Sequence, residues 1–334
     1  MERRGVNQTD SRVPARPPWA RVSPGQLFAR GGPLVGLLVL VVVMAVLSPT
    51  FLTFRNIFNV GTQVAVIAII ALGSTFVIVS GGIDLSVGSV LALAGIVFGW
   101  ASARAGLPVP VALLLGIGVG ALAGFVNGNL VNFANIPPFI ATLAMLSAAR
   151  GLALVVSGGI PISKIPSSLQ TLGNGDLFGV IPLPVVLMVA MWVLAAWVLR
   201  YTYAGRCMYA IGGNEEAARL SGINVVGQKL LIYTLSGLFA AIAGILLTAR
   251  LASAQPQAGV GFELDAIAAV VIGGASLSGG VGSATGTIVG AFILGVLRNG
   301  LNLLDVSAFW QQVVIGAVIV LAVMTDTLRR RRAR

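Results

Sequence analysis

Long apolar runs, separated by short segments that carry glycine, proline or charge, occupy almost the whole chain. A helix needs about 20 mostly apolar residues to cross the hydrocarbon core of a membrane, because each residue rises only about 1.5 Å. The pattern therefore predicts an all-α fold, a polytopic membrane bundle of about ten transmembrane helices. The predicted spans are 33–48, 57–80, 86–105, 109–131, 138–157, 180–200, 228–249, 262–278, 283–304 and 308–326.

Composition agrees with this pattern, and the distribution of charge adds an orientation. Of the 334 residues, 57% are hydrophobic and 9% are charged, whereas about a quarter are charged in a soluble domain. The net charge of +11 is concentrated at the two ends of the chain and around the loop 201–227. Basic clusters mark the cytoplasmic side of a membrane protein, so both termini and this loop are predicted to be cytoplasmic.

The predicted spans are consistent with that orientation, since an even number precedes the 201–227 loop and an even number follows it. The predicted organisation is a disordered basic N-terminal tail (1–30), one transmembrane domain (31–328) and a basic C-terminal tail (329–334). A nucleic-acid partner is excluded, because the basic residues lie at helix ends without interleaved aromatic residues.

Several kinds of chemistry are excluded by what the sequence lacks. Cys207 is the single cysteine and histidine is absent, so no disulfide framework, thiol metal site or histidine proton carrier is expected. The two lysines, Lys164 and Lys229, do not stand in a Walker A motif. The chain is therefore predicted not to hydrolyse ATP through that motif and to need no cofactor of its own.

The 201–227 loop contains a short helix with a signal at each end. Asn214 is a good N-cap, and Glu215 and Glu216 follow where the helix dipole favours negative charge. Gly222 suits the position just after the helix, so a helix of about two turns is predicted. A capped helix in a tight cytoplasmic loop is suited to act as a lever that another protein pushes. The alternative is a stable surface turn without a partner.

Five stretches in order resemble one transporter family. They are Phe51-Leu52-Thr53 with Asn56, Ser80-Gly81-Gly82-Ile83-Asp84-Leu85-Ser86-Val87-Gly88-Ser89, Ile136-Pro137-Pro138-Phe139-Ile140-Ala141-Thr142-Leu143, the loop from Gly212 to Ile223, and Glu263-Leu264-Asp265-Ala266-Ile267-Ala268-Ala269-Val270-Val271-Ile272-Gly273-Gly274. With them the sequence resembles the permease subunits of ribose-, xylose- and galactoside-type ABC importers over about residues 51–326. The arginine-rich N-terminal tail departs from the family pattern and receives no family function.

The resemblance implies a transport subunit in the bacterial inner membrane that imports a monosaccharide such as ribose. It implies three partners: cytoplasmic ATPase subunits that bind the ATP, a periplasmic or lipid-anchored sugar-binding protein, and a second permease copy, identical or similar. It also implies that the ATPase docks on the loop already described. The residues expected to couple to the ATPase are Gly213, Asn214, Glu215, Glu216, Ala217, Ala218, Arg219, Ser221 and Gly222.

A second set of residues is predicted to lie along the translocation pathway. Paired glycines within apolar runs suggest breaks in membrane helices, which transporters place at the substrate route; close helix packing by small residues is the alternative. An acid at mid-bilayer costs about 2.5–3.5 kcal/mol, so the presence of Asp84 needs a reason. Asp84 lines the pathway, where it contacts the sugar or orients the break that does, or it caps the helix that starts near Leu85, and the two roles are compatible. Ser276 stands at the corresponding place in the second glycine segment and is predicted to be a capping residue as well. Asn127 suits a neutral sugar or an interfacial helix end. The pathway candidates are Gly81, Gly82, Asp84, Ser86, Asn127, Gly273, Gly274 and Ser276.

Two other classes remain as alternatives. A secondary transporter coupled to protons or sodium usually buries several ionisable groups, and Asp84 is the single acid that the sequence places clearly within an apolar stretch. An intramembrane enzyme would need a nucleophile–base pair or a metal pair, and the sequence offers neither. Both alternatives are therefore weaker than a transport subunit driven by a separate ATPase.

Overall fold

The computed structural model describes the backbone of residues 24–333 and the side chains of residues 32–321 and 324. The side chains of the two predicted basic tails, 1–30 and 329–334, lie outside the described residues, while helical backbone covers 24–30 and 329–333; the bounds of the tails remain predictions. The unit Pro33–Arg334 is compact. The described chain is mostly helical, and the predicted all-α membrane bundle is confirmed.

The helices follow one another through short connections. The first six are α1 (Pro24–Leu47), α2 (Phe54–Val79), α3 (Val87–Gly99, continued by a π-helical turn, Trp100–Arg104), α4 (Val109–Phe133), α5 (Pro138–Ser157) and α6 (Ser167–Asn174). A small antiparallel hairpin, β1 (Asp176–Leu177) and β2 (Ile181–Pro182), comes next. The others are α7 (Leu183–Tyr201), α8 (Tyr203–Gly213), α9 (Glu215–Leu220), α10 (Val225–Leu251), α11 (Phe262–Ile272), α12 (Ala284–Leu303) and α13 (Ala308–Ala333).

Among the described residues, seven helices are long and apolar enough to cross a membrane: α2, α3 with its π-helical turn, α4, α5, α7, α10 and α12. Shorter apolar helical stretches occur at Gly32–Leu47 and Ala308–Leu321. The chain is therefore a multi-pass membrane protein. The count of about ten spans and the cytoplasmic position of both termini stay predictions.

The predicted span 262–278 is wrong in its length. Helix α11 has 11 residues and ends at Ile272, so it covers about 16 Å, half of the roughly 30 Å of a hydrocarbon core. The chain then continues without regular helix through 273–283. Gly274, Gly279 and Gly280 adopt positive φ there, a conformation that glycine reaches without the steric cost of a side chain.

The centre of the bundle is formed by α2, which packs against α7, α10, α11 and α12. Helix α10 packs in turn against α3 and α4. These contacts are close: a Cβ added to Gly237 would meet the carbonyl of Gly120. Small residues allow helix backbones to approach in a membrane, where burial of apolar surface drives association only weakly.

Two polar pairs fix how α2 sits against α12. Asn56 and Asn299 exchange two side-chain hydrogen bonds, both of 2.9 Å. The hydroxyls of Thr75 and Thr287 lie 2.7 Å apart. A buried polar group without a partner is costly in an apolar interior, so these pairs favour one register between the two helices.

The bundle has two ends. At the α8–α9 end, Gly212 of α8 packs against the carbonyl of Val79, the last residue of α2. At the hairpin end, the first turns of α2 share a pocket with the β1–β2 hairpin and with Arg250, near the end of α10. Helices α2 and α10 therefore run between the two ends, and the hairpin lies opposite α9.

Candidate functional site

The short helix predicted in the 201–227 loop is present as α9, and both of its predicted caps are confirmed. The Asn214 side chain accepts a 2.9 Å hydrogen bond from the amide of Ala217. Gly222 follows the C-terminal cap with φ of +84°, the left-handed conformation that ends many helices. The helix is therefore closed at both ends by its own sequence.

One side of α9 is attached to the bundle and the other is open. Glu215 forms a 2.8 Å ion pair with Lys229 in the first turns of α10. Ala218 is buried in a small apolar cluster with residues of α8 and α10. Glu216 and Leu220 are exposed, and Leu220 keeps 84% of its surface accessible. Helix α9 thus presents a free surface while its position is fixed by α8 and α10.

The first non-helical segment, 80–86, joins α2 to α3 and contains Asp84. Gly81 has φ of +85°, and α3 begins at Val87 with Ser86 in the N-cap position. Asp84 lies two residues earlier and accepts from the amide of Ser86 at 2.9 Å and from its hydroxyl at 2.6 Å. The interpretation of Asp84 as the N-cap of α3 is therefore corrected: Asp84 holds the residue that occupies the cap position.

Asp84 is the centre of a buried polar network. Ser236, roughly midway along α10, donates a 2.8 Å hydrogen bond to its second carboxylate oxygen. Asn127 of α4 donates to the hydroxyl of Ser86 at 2.9 Å. Asp84 is 2% exposed, and no described lysine or arginine forms an ion pair with it. Three predicted pathway residues, Asp84, Ser86 and Asn127, are thus brought together, with the carboxylate enclosed in the single chain.

The second non-helical segment, 273–283, joins α11 to α12 and is held mainly by backbone turns. The amide of Ser276 donates to the carbonyl of Val281 at 2.9 Å, and the Ser276 hydroxyl accepts from the amide of Ser278 at 3.1 Å. The N-cap of α12 is Ser283. The prediction that Ser276 caps a helix is therefore wrong, because its hydroxyl stabilises a turn within the segment.

The four predicted pathway glycines have different surroundings. Gly82 is buried and Gly81 and Gly274 are exposed. A Cβ added to Gly273 would meet the carbonyl of Gly286, in the first turn of α12. Gly273 therefore fits the alternative of close packing by small residues, whereas Gly274 is exposed and has free space around it.

Both non-helical segments meet α8 at one place. The amide of Gly280 donates to the carbonyl of Val79 at 2.8 Å, which joins the second segment to the end of α2. The hydroxyl of Tyr209 in α8 donates to the carbonyl of Gly282 at 2.9 Å. A Cβ on Gly212 would meet both the Val79 carbonyl and the Gly280 amide. Gly81 of the first segment also lies against Gly212. We call this backbone contact between α8, residues 79–81 and residues 279–282 the glycine junction.

Comparison with known proteins decides the family. The family model described as "Branched-chain amino acid transport system / permease component" matches residues 56–323, most of the chain. The chain belongs to this permease family. It is therefore the membrane component of a transport system and not an enzyme.

Individual relatives match over almost their full length. The ribose import permease protein of Bacillus subtilis (strain 168) is 50% identical over 297 residues, which cover 88% of this chain and 92% of the relative. The ribose import permease protein of Escherichia coli (strain K12) is 47% identical, with 89% and 93% covered. The xylose transport system permease protein of that strain is 36% identical, with 85% and 87% covered. No solved structure matches the chain.

The permease also contains polar residues that the sequence analysis did not select. Arg298 of α12 pairs with the buried Asp265 of α11 at 3.1 Å, and Arg150 of α5 donates to two backbone carbonyls of the 252–261 connection, both at 2.7 Å. Ser236 and Tyr209 were missed as well, because a lone hydroxyl residue in an apolar run gives no signal of its distant partner. Opposite charges in neighbouring apolar runs were the available signal for Asp265 and Arg298.

Proposed function

We propose that this chain is the membrane-spanning permease subunit of a bacterial ABC importer that carries a monosaccharide such as ribose through the inner membrane. The observation that carries the proposal is 50% identity to a ribose import permease protein over 88% of the chain. The relatives give no support to the ion-coupled alternative. The chain supplies the translocation path, and separate ATPase subunits supply the energy.

The proposed ATPase contact is the free surface of α9 in the segment Gly213 to Gly222. Both ends of the helix are capped within the chain, and the Glu215–Lys229 ion pair connects it to α10. The exposed Glu216 and Leu220 offer one charge and one apolar side chain to a docking protein. A push on this surface reaches α10 directly and reaches both non-helical segments through α8.

The proposed pathway residues are those of the two non-helical segments and of the Asp84 network. Non-helical backbone at membrane depth is tolerated where it is buried in protein or lines a wet cavity. Because Asp84 is enclosed in the single chain, we assign it to positioning the 80–86 segment. Sugar contacts by Gly274 and its neighbours would form against a second permease copy.

Reconstitution tests the transport assignment. The permease, its ATPase subunits and its sugar-binding protein are placed in liposomes, and uptake of labelled ribose, xylose and galactose is measured with ATP on the side of the ATPase subunits. ATP-dependent uptake of one of these sugars is expected, and it should vanish with a Walker-motif variant of the ATPase. Uptake driven by a proton or sodium gradient without the ATPase would instead support the secondary transporter.

Cysteine labelling tests the proposed orientation. In a Cys207→Ser background, a cysteine at Ser167 should react with an impermeant reagent added outside, because α6 lies at the hairpin end. A cysteine at Ala217, on α9, should react only after the membrane is opened. Labelling in the reverse pattern would overturn the proposed topology.

A further inference from the structure

A polar pocket of about 540 Å³ opens at the hairpin end, opposite α9. Four elements supply its walls: the first turns of α2, the end of α6, the β1–β2 hairpin and the end of α10. Its charged lining residues are Arg55, Arg250 and Asp176. The pocket therefore carries a net positive charge on the side from which an imported sugar would arrive.

The two arginines of this pocket lack the carboxylate partner that Arg298 has. The guanidinium of Arg250 is half-buried and reaches one acceptor, the Thr62 carbonyl, at 3.5 Å, the outer limit for a hydrogen bond. No ion pair with Arg250 or Arg55 occurs among the described residues. By contrast, Arg298 at the same end has a carboxylate partner at 3.1 Å. A guanidinium is a planar fork that matches a carboxylate, so this pocket is open to an acceptor from outside.

The hairpin beside the pocket exposes an apolar tip. Phe178 is 90% exposed and adopts φ of +56°, a conformation that a bulky residue rarely occupies. Val180 and Ile181 are also exposed, at 56% and 42%. Aromatic residues and arginines are the side chains most enriched at the centres of protein interfaces. The pocket supplies arginines and the hairpin tip supplies an exposed aromatic side chain, and both are typical of a docking surface.

We propose that this surface receives the external sugar-binding protein, with an acidic side chain of that protein seated between Arg250 and Arg55 and an apolar patch against Phe178. The inference rests on the proposed function, which requires a soluble sugar donor at the end opposite the ATPase. Asp176 adds an acceptor for a basic group of the same partner. The proposal thus assigns the pocket to recognition of a protein and not to contact with the sugar.

The test measures binding of the purified, sugar-loaded binding protein of the same transport system to the assembled importer in lipid nanodiscs. Arg250→Gln should weaken binding about tenfold or more, as loss of one partner of a buried charge pair does. Arg55→Gln and Phe178→Ala should give smaller losses, since both residues are exposed. The matched control is Arg104→Gln, whose guanidinium bonds to the Ser157 carbonyl away from the pocket; it should leave binding unchanged.

The outcomes separate this inference from the proposed function. Unchanged affinity in Arg250→Gln and Arg55→Gln, with normal binding to wild type, overturns the docking surface and leaves the transport assignment intact. Absence of binding to wild-type importer in any sugar-loaded state overturns both. Loss of co-purified anionic phospholipid in the arginine variants, without loss of binding protein, would make the pocket a lipid site and also overturn the proposal. ATPase activity is also measured in the absence of the binding protein. Equal activity in the variants and the wild type shows that each importer is assembled.

Discussion

The two non-helical segments of the bundle, 80–86 and 273–283, share a sequence signature and differ in what holds them. Each contains a glycine pair after an apolar run and a hydroxyl residue shortly after it. The first is fixed by the buried carboxylate of Asp84, which accepts three hydrogen bonds. The second is held by backbone turns, by one hydrogen bond to the Ser276 hydroxyl, and by the single hydrogen bonds that join Gly280 to Val79 and Gly282 to Tyr209.

This difference predicts different mechanical behaviour. A hydrogen bond contributes about 1 kcal/mol, and the first segment has three of them on one buried carboxyl group, whereas the Ser276 hydroxyl of the second segment accepts one. Gly82 is buried beside Tyr233, while Gly274 is exposed. We therefore expect the first segment to stay rigid and the second to move when α8 is pushed. The glycine junction connects both segments to α8. A displacement of α8 therefore acts on one rigid segment and on one segment that can move.

The largest expected effect is that of Asp84→Ala. It leaves the amide of Ser86 and the hydroxyls of Ser86 and Ser236 without their acceptor in a buried site, which should lower the free energy of unfolding by about 3 kcal/mol or more. Ser276→Ala, which removes one bond in the second segment, should cost about 1 kcal/mol. Thermal unfolding in detergent measures both. The isosteric Asp84→Asn keeps an acceptor for Ser86 and should lose less; a larger loss in Ser276→Ala than in Asp84→Ala would reverse the comparison.

The next effect is at the glycine junction. In Gly212→Ala the new methyl group would meet the Val79 carbonyl and the Gly280 amide, and overpacking of this kind costs about 1–3 kcal/mol. Protein that still assembles should hydrolyse ATP but transport fewer sugar molecules for each ATP hydrolysed. The reason is that α8 can no longer pack closely against both segments. Gly118→Ala, within α4, is the matched control, since nothing lies within 4 Å of its added Cβ. Equal sugar-to-ATP ratios in the two variants would remove the junction from the coupling route.

A smaller effect separates the two glycine pairs directly. In a Cys207→Ser background, Gly274→Cys should react with a small hydrophilic thiol reagent and Gly82→Cys should not, because Gly82 is enclosed by Tyr233 and Val77. If the second segment moves, ATP or sugar should change the rate at Gly274. Inert cysteines at both positions, in protein that still transports, would end the pathway hypothesis for both segments.

The smallest effect on the fold is expected from Glu216→Arg. Glu216 is exposed on α9 and lies outside the Glu215–Lys229 pair, so thermal unfolding should be unchanged. Recruitment of the ATPase should weaken, which a pull-down of the assembled complex measures. The neutral Glu216→Gln separates loss of a charge from its reversal. Wild-type levels of ATPase recruitment and transport in the arginine variant would show that α9 is not the docking helix.

Much of the fold could be predicted from the sequence because the forces that set it are local. A run of apolar residues long enough to cross a membrane forms a helix wherever it packs, since its backbone bonds are satisfied within the run. The caps of α9 depend on Asn214 and Gly222, which lie within one turn of the groups that they serve. Both predictions therefore needed no knowledge of neighbouring helices.

The candidate site was predictable only in part. The sequence identified Asp84 as an acid in an apolar run, because its cost in a membrane demands a partner. The partner itself was not predictable: the sequence suggested a helix cap, whereas the structure supplies Ser236, which is 152 residues away. The interpretation of Ser276 failed for the same reason, since a hydroxyl near a glycine pair caps a helix or a turn according to the path of the chain.

The sequence by itself determined that this chain crosses a membrane many times, that its 201–227 loop carries a capped helix, and that two glycine pairs interrupt the apolar pattern. The tertiary structure decided that α11 stops at Ile272, that Asp84 bonds to α10 and Ser86 bonds to α4, and that both interruptions meet α8. The physical reason is the separation in sequence over which each interaction acts. Hydrophobicity and capping act between neighbours in sequence, while hydrogen bonds across a bundle depend on which helices come to lie side by side.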